Sequence, residues 1–335
     1  MYHIVVNPAS SSGHGKSQWD KIEPLFKKGG ARYKIHYSSP YRPVEQICAE
    51  LTSSGQDTDI VIIGGDGTMN AAVNGIRDFD HTRVGYIQTG SGNDLIHGLG
   101  LSKRDRKGAV EKILRGEVVR RCDIGRVTYH NRSSLIDPFT HKVTEEEDVK
   151  AYGGESGAQA EPFRLFNISA GIGFDAAVCR QSDASSFKNV LNQVHMGKLI
   201  YISEAVHMIL TSPMVELKVT DSSGKETDYE KSLFAVAMNT GYEGGGFKFC
   251  PNADNTDGLL DLCAASGVTR ADFFRIFPTA YNGKHLKFDG VYADRSASWR
   301  IRSEIPLWVH TDGEVYCKSS DITIDFLPQK LRLLI

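Results

Sequence analysis

The chain has 335 residues, 40 % of them hydrophobic and 24 % charged, which is the composition of an ordinary globular protein and excludes a disordered or fibrous one. Its length exceeds that of a usual single domain, so we expect two domains. The formal net charge of −2 provides no overall basic field, which argues against a protein that coats nucleic acid through its phosphates.

The start of the chain and its cysteines favour one cellular compartment. No basic and hydrophobic leader opens the sequence, and no apolar run approaches the ~20 residues that span a bilayer. The six cysteines occur singly, without a CxxC pair, which is typical of free thiols in a reducing compartment. We therefore expect a cytoplasmic protein whose contact with a membrane, at its inner face, is only peripheral.

Short apolar strands alternate with amphipathic segments in the first third of the sequence. Runs such as Asp59–Ile63 are almost entirely apolar, as in the buried strands of a parallel sheet. This βα order predicts a doubly wound α/β domain. The predicted strands are Ile4–Val6, 32–38, 59–63 and 84–87, and the predicted helices are 16–28, 43–53 and 106–114.

The pattern changes near Cys122, where alternating segments follow one another without regular intervening helices. Segments 164–169, 214–219 and 232–238 predict a mainly antiparallel second domain. A helical spacing of apolar residues at 186–210 predicts one helix that covers the core. Residues 132–161 contain an acidic run and several glycines, and we interpret them as a solvated insertion.

A glycine-rich loop, Gly64-Gly65-Asp66-Gly67-Thr68, directly follows the buried third strand and precedes a helical pattern. Glycines there would let backbone N–H groups approach phosphate oxygens, and the helix N-terminus would add donors and a positive dipole end. A tight turn in which Asp66 only caps the helix is the alternative.

Two further loops also follow strands. Thr89-Gly90-Ser91-Gly92-Asn93-Asp94 comes after the fourth strand, and Asn7 to Ser17 comes after the first. The latter ends in Gly-Lys-Ser but has Ser10 where a P-loop has its first glycine, so it is not a P-loop. Loops at successive strand ends face the crevice in which open α/β folds bind ligands.

These three loops, in this order and spacing, resemble the catalytic domains of the diacylglycerol kinase and sphingosine kinase family. The resemblance spans nearly the whole chain, because further marks of the family follow. They are Asn167, Asp175, Asn239, Gly244-Gly245-Gly246, Pro251, Ala253, Asp257-Gly258-Leu259-Leu260-Asp261, Gly283-Lys284-His285 and Asp312-Gly313-Glu314.

The resemblance implies an N-terminal α/β domain of the phosphofructokinase and NAD kinase type, joined to a C-terminal β-sandwich, with the active site in the cleft between them. The nucleotide-binding domain would comprise 1–122 and the returning segment 318–335. Residues 123–317, with the insertion at 132–161, would form the domain that binds the lipid substrate.

The resemblance further implies ATP and Mg²⁺ as cofactors. Asp66 would help to hold metal and phosphate, and Asp257 would be a ligand of a second, structural magnesium. Asp312 would be the general base that accepts the proton of the attacking hydroxyl, with Glu314 supporting it. The residues implied at the nucleotide are Asn7, Ser12, Lys16, Gly64, Gly65, Gly67, Thr68, Asn70, Gly90, Ser91, Gly92 and Asn93.

From the residues alone, Asp-Gly pairs between alternating apolar runs predict turns, so Asp312-Gly313 and Asp257-Gly258 also have a purely structural interpretation. We expect an ATP-dependent lipid kinase that phosphorylates diacylglycerol or a related lipid alcohol presented at a membrane surface, without nucleic acid as a partner. A homodimer stays open. The alternatives are an NAD kinase, whose Asn-Glu substrate loop is not evident here, and a nucleotide- or lipid-binding regulator on the same scaffold.

Overall fold

The structure is a computed structural model, and it describes residues 1–90, 92–102, 105–118, 120–136, 143–145, 162–184 and 206–334. No helix in these ranges combines the length and the apolar character needed to cross a bilayer. The six cysteines are free thiols, and five of them are buried.

Strands and helices alternate at the start of the chain, as the hydrophobic pattern predicts. Strands β1 to β4 are Tyr2–Val6, Tyr33–Tyr37, Thr58–Gly64 and Thr82–Gln88. Helices α1 to α6 are Ser10–Gly13, Gly15–Lys28, Val44–Thr52, Asp66–Gly75, Asp94–Gly98 and Arg106–Arg115. The four strands are parallel and lie in the order β2-β1-β3-β4.

This strand order indicates where the sheet has a crevice. The chain passes from β1 to β2 on one side and then to β3 on the other, and such a reversal opens a crevice at the carboxyl ends of the strands. Helices α2 and α6 contact each other, as do α3 and α4. Residues Ile60–Ile63 of β3 are fully buried, which explains why the sequence of this strand is apolar without alternation.

The remainder of the chain is mainly β-strand, and its strands pair antiparallel with one another. Helices α7 and α8 of this part are Phe174–Ala184 and Arg270–Ile276. Strands β5 to β16 are Arg120–Tyr129, Ser134–Ile136, Val143–Glu145, Phe163–Phe166, Ser169–Gly173, Val215–Asp221, Glu226–Ser232, Phe234–Met238, Leu260–Ala265, Val291–Ser296, Trp299–Thr311 and Glu314–Leu333.

Strand β16 belongs to both parts of the molecule. Its start pairs with β15, and its end pairs with β5 and, in parallel, with β4, where Leu333 lies opposite Val84. Leu331, Leu333 and Leu334 are buried in the same core as β1, β3 and β4. The last strand therefore completes the N-terminal core.

Two predicted features fall largely on residues that the structure does not describe. Of the helix predicted at 186–210, residues 206–210 are described, and they are helical together with Thr211. Of the insertion predicted at 132–161, the described residues include β6 and β7, which pair antiparallel with each other. Strand β6 also pairs with β16.

Candidate active site

The first glycine-rich loop joins β3 to α4 at the carboxyl end of the parallel sheet. Helix α4 begins at Asp66, so the free N–H groups of its first turn lie at this edge. A Cβ on Gly64 would lie 2.4 Å from the Cβ and Oγ1 atoms of Thr68. The close approach of the helix to the strand end therefore requires glycine at position 64.

The second glycine-rich loop packs directly on the first. The Thr89 N–H donates to the carbonyl oxygen of Gly64 at 2.8 Å. A Cβ on Gly90 would lie 2.9 Å from the Cα atom of Gly65, a separation that real Cβ atoms essentially never show. The two backbones thus form one continuous edge that only glycines permit.

Asn93 ends the second loop in the left-handed conformation, with φ of 57°, and its Nδ2 donates to the Gly90 carbonyl oxygen at 2.7 Å. A Cβ on Gly92 would lie 3.5 Å from Oδ2 of Asp66, so this part of the loop lies over the first carboxylate of α4. Ser91, also predicted at the nucleotide, lies outside the described residues.

The loop after β1 joins the other two. The Asn7 Nδ2 atom donates to Oγ1 of Thr68 at 3.2 Å. The Ser11 hydroxyl donates to the Thr89 carbonyl oxygen. All three predicted loops therefore meet at one edge of the sheet, at the carboxyl ends of β1, β3 and β4.

Three further predicted site residues are Ser12, Lys16 and Asp257. Ser12 and Lys16 are exposed on the loop and on α2. Asp257 accepts hydrogen bonds from the Arg295 guanidinium and, at 3.0 Å, from the Leu259 N–H. The guanidinium thus supplies the positive charge that a magnesium ion would bring to Asp257. Neither of these contacts connects Asp257 to the glycine-rich loops.

Two carboxylates face each other between the first two loops. Oδ2 of Asp66 accepts from the Asp94 N–H at 2.9 Å, and Oδ2 of Asp94 accepts from the Gly245 N–H at 2.8 Å. Burial, followed by the charge of Asp94, raises the pKa of Asp66 to about 7. The other oxygen of Asp94, Oδ1, is buried and has no hydrogen-bond partner in the described part of the chain. The pair is therefore short of positive charge.

Asp312 lies in the tight turn between β15 and β16, with φ of 54°. Its Oδ1 accepts from the N–H groups of Ile168 at 2.7 Å and Ser169 at 3.2 Å, and its Oδ2 accepts from the Asn167 N–H at 2.9 Å. The Nδ2 atom of Asn70, on α4, donates to Oδ2 at 3.0 Å. Burial raises the pKa of Asp312, and these hydrogen bonds oppose that effect.

The same turn brings Glu314 to the first loop. A Cβ on Gly67 would lie 2.2 Å from Oε1 of Glu314, so the carboxylate rests directly on the glycine. Asn70, one turn further along α4, contacts Asp312. The turn of the second part of the chain therefore presents both of its carboxylates to the helix that begins at Asp66.

The sequence interpretation left two carboxylates of this region without a role. Asp94, the first residue of α5, occupies the position that Asp66 occupies in α4, directly after a glycine-rich loop at the end of a strand. That parallel was visible in the sequence. Asp175, noted only as a mark of the family, lies 3.0 Å from the Nε2 atom of His310, and no sequence pattern had singled out His310.

Comparison with known proteins identifies the family. The profile of the diacylglycerol kinase catalytic domain matches residues 1–127, and that of the YegS C-terminal NAD kinase beta sandwich-like domain matches residues 168–335. The chain belongs to the diacylglycerol kinase family. The predicted fold class, an α/β domain followed by a β-sandwich-like domain, is confirmed.

Members of the diacylglycerol kinase family align over almost the whole chain. The diacylglycerol kinase of Mycobacterium tuberculosis (strain ATCC 25618 / H37Rv) is 27 % identical over 317 residues, which cover 93 % of this chain and 88 % of that one. The diacylglycerol kinase of Bacillus subtilis (strain 168) is 24 % identical over 312 residues, with the same coverage. Both support a lipid kinase family as the class of enzyme.

Solved structures agree on the fold. The crystal structure of a diacylglycerol kinase from Bacillus anthracis str. Sterne has a TM-score of 0.65 at 18 % identity, and the match covers 99 % of this chain and 96 % of that one. A second structure from the same organism reaches a TM-score of 0.69 at 21 % identity, with the same coverage. At this level of identity, the likeness concerns the fold of the family alone.

Proposed function

We propose that this protein transfers the γ-phosphate of ATP to the hydroxyl of diacylglycerol or a related lipid alcohol. Two contacts carry the proposal: that of Glu314 with Gly67 and that of Asp312 with Asn70. They bring two carboxylates of the β-rich part to the glycine-rich loop that would bind phosphate. Phosphoryl transfer needs mainly positioning, charge neutralisation and a carboxylate that orients the nucleophile.

The N-terminal lobe, 1–122 with 318–335, would bind the nucleotide. The backbone N–H groups of the Gly64–Thr68 and Gly90–Asn93 loops would bind the phosphates, because the glycines of these loops place no Cβ against a phosphate oxygen. Asn7 holds the Thr68 hydroxyl at 3.2 Å and so fixes the first loop. Lys16, which is exposed on α2, would add positive charge near the outer phosphates.

Asp66 and Asp94 fit a magnesium ion, since both offer carboxylate oxygens, the ligands that this ion prefers. The unpartnered Oδ1 of Asp94 and the raised pKa of Asp66 are what such a pair shows when its positive charge is missing. Asp66 and Asp94 would hold this ion, which would supply positive charge against the transferred phosphate. The contacts of Asp257 make it a weaker candidate for a second ion.

Asp312 would accept the proton of the attacking hydroxyl. The N–H groups of Asn167, Ile168 and Ser169 fix the orientation of its carboxylate, so the group needs no reorganisation when the alcohol arrives. Burial raises its pKa, which makes the carboxylate a stronger base. Glu314 would steady the turn against the first loop.

The substrate lobe, 123–317, would offer an apolar surface next to Asp94. The Gly245 N–H binds Asp94, and a Cβ on the adjacent Gly246 would lie 3.4 Å from the Tyr281 ring. That ring packs edge-on against Phe247, which stacks on Phe277. Aromatic side chains next to the site of transfer suit a lipid better than a nucleotide, and the lipid would come from a membrane surface.

Transfer of radiolabelled phosphate from ATP to a panel of lipid alcohols and to NAD tests the proposal. We expect label in diacylglycerol or a related lipid alcohol, dependent on Mg²⁺. Label in NAD alone would replace the proposal with an NAD kinase. Label in no acceptor, with ATP still bound, would indicate a nucleotide- or lipid-binding regulator. Mass spectrometry of the product from a total lipid extract would then identify the acceptor, and sedimentation would show whether the protein is a homodimer.

A further inference from the structure

A second group of polar side chains lies buried behind the Asp312 turn. Nε2 of His310 is 3.0 Å from Oδ2 of Asp175 and 3.3 Å from Oε1 of Glu243. The histidine side chain is fully buried, and Glu243 is 7 % exposed. We call these three residues the buried triad. Charged groups are rarely buried to this extent without a function or a strong structural need.

Gly171 makes room for the buried triad. It lies opposite His310 in the pairing of β9 with β15. A Cβ at this position would lie 1.8 Å from Oδ2 of Asp175 and 2.7 Å from Nε2 of His310. The strand can therefore carry the triad only with glycine at position 171.

The orientation of the His310 ring follows from its other nitrogen. The Gly313 N–H donates to Nδ1 at 3.1 Å, so Nδ1 carries a lone pair and the proton of the neutral ring is on Nε2. A histidine that binds a metal through Nε2 needs its lone pair on that atom instead. The buried triad is therefore arranged to hold a hydrogen bond to Gly313, and not to bind a metal ion through His310.

The two carboxylates of the buried triad act on its histidine. Burial lowers the pKa of His310, but the charges of Glu243 and Asp175 outweigh burial and raise it. Burial also raises the pKa of Glu243. Because the Gly313 N–H donates to Nδ1, the ring proton lies on Nε2, next to Asp175 and Glu243.

Gly313 connects the buried triad to the two carboxylates of the turn, Asp312 and Glu314. It stands between Asp312 and Glu314 and has a φ of 84°, directly after the left-handed Asp312. The Asp312 N–H donates to the Ser169 carbonyl oxygen at 2.9 Å. The turn is thus held at two successive N–H groups, one by strand β9 and one by the His310 ring.

We propose that His310 is a positioning residue for phosphoryl transfer: its ring, oriented by Asp175 and Glu243, holds the Gly313 N–H and thereby fixes Asp312 and Glu314 in the cleft. This inference rests on the proposed function. Two conservative variants separate the acceptor at Nδ1 from the donor at Nε2. His310→Asn keeps an acceptor where Nδ1 stands, whereas His310→Gln keeps a donor near Nε2 but offers the Gly313 N–H no acceptor.

The test measures kcat and KM for ATP and lipid in His310→Asn, His310→Gln and His310→Leu, with melting temperature as a check of folding. We expect kcat to fall by about 10²-fold in the Gln and Leu variants, the effect of a small misplacement of catalytic groups, with KM for ATP within about twofold. His310→Asn should recover most of the lost kcat. The control is His285→Asn, which alters another buried histidine and should change kcat by less than about twofold.

Equal kcat values in the Asn and Gln variants, or a loss confined to KM, would overturn the proposal, and this comparison holds even if His310→Leu does not fold. Hydrogen exchange of the Gly313 amide gives a readout that needs no turnover. Its protection should persist in His310→Asn and fall in His310→Gln. The Gly313 amide could show this difference between the two variants although the protein phosphorylates no lipid. That result would refute the proposed function and confirm that the His310 ring holds the Gly313 N–H.

Discussion

Glu314 rests on Gly67: a Cβ at the glycine would lie 2.2 Å from Oε1 of the glutamate. The two residues come from different parts of the chain, one from each of the two regions that the family profiles match. Nothing larger than a hydrogen atom fits between the helix and this carboxylate. A side chain at position 67 would therefore require the Glu314 carboxylate to move.

Gly67→Ala should displace Glu314 without unfolding the protein. The carboxylate is the end of a flexible side chain and can move, and alanine favours a helix by roughly 1 kcal/mol over glycine. We expect an unchanged or higher melting temperature and a kcat that is lower by about tenfold or more. A circular dichroism melt and the phosphoryl transfer assay measure the two effects.

The Glu314→Ala background provides the control for this variant. If Gly67→Ala acts through Glu314, adding it to Glu314→Ala should change kcat by less than about twofold, because residues that act as a unit are not additive. An equal further loss in the double variant would show that the alanine disturbs the nucleotide directly.

Asp94→Asn should weaken the binding of magnesium. The amide oxygen can still accept from the Gly245 N–H, so the loop keeps its position, but one negative charge is lost. The Mg²⁺ concentration that gives half-maximal activity should rise by about tenfold or more. Asp105→Asn, which alters the cap of α6 in the same lobe, should leave this concentration unchanged. Equal Mg²⁺ requirements of Asp94→Asn and wild type would contradict the assignment.

Asp312→Asn should abolish most of the turnover while ATP binding persists. We expect kcat to fall by ~10²-fold or more, with the affinity for ATP within a few-fold, as for loss of a general base. The amide would also turn its NH₂ group toward one of the N–H groups at Asn167 to Ser169, which costs about 1–3 kcal/mol. Melting curves must therefore accompany the kinetics.

Asp321→Asn is a matched control for Asp312→Asn, because Asp321 forms an ion pair with Arg300 on the outer part of β16. An exposed pair contributes only about 0–1 kcal/mol, so kcat and melting temperature should change little. Wild-type turnover in Asp312→Asn would remove the role of general base from Asp312.

The histidine pair His3 and His36 should make the N-terminal sheet sensitive to acid. Nδ1 of His3 lies 3.0 Å from Nε2 of His36, and one of the two nitrogens must accept, so one ring must be neutral. Burial, followed by the charge of His3, lowers the pKa of His36 to about 4. The unfolded chain binds this proton near pH 6.5, so stability is full above that pH and is lost as the pH falls toward 4.

Urea unfolding at pH 7.5 and pH 5.0 measures this effect. The free energy of unfolding should fall less between the two pH values in His36→Gln than in the wild type. His81→Gln, which removes an exposed histidine beside Asp78, controls for the general effect of losing an imidazole. Identical pH dependence in His36→Gln and wild type would show that the pair does not oppose protonation.

The sequence predicted the N-terminal lobe well because its signals are local. The apolar run at Ile60–Ile63 and the glycine loops after β3 and β4 specify a buried parallel strand and two tight connections, and the structure has both. The contact of Glu314 with Gly67 is not local, since it depends on how β15 and β16 return to the cleft. Only the family resemblance predicted that Glu314 belongs to the site.

The buried triad shows a second limit of sequence interpretation. Asp175, Glu243 and His310 stand far apart in the chain, at a helix start, in a glycine-rich loop and near the end of a strand, and none of these positions has a distinctive pattern. Their association follows from the pairing of β9 with β15 and from the missing side chain at Gly171. Packing of this kind is visible only in three dimensions.

The return of β16 to the N-terminal sheet also constrains how the protein is made. The ribosome synthesises Val84 long before its partner Leu333, which follows 249 positions later. Domains that emerge first usually fold first. Here the N-terminal core lacks its last strand until the rest of the chain has left the ribosome, so a nascent chain cut short before Leu331 should carry all three loops and still fail to fold stably.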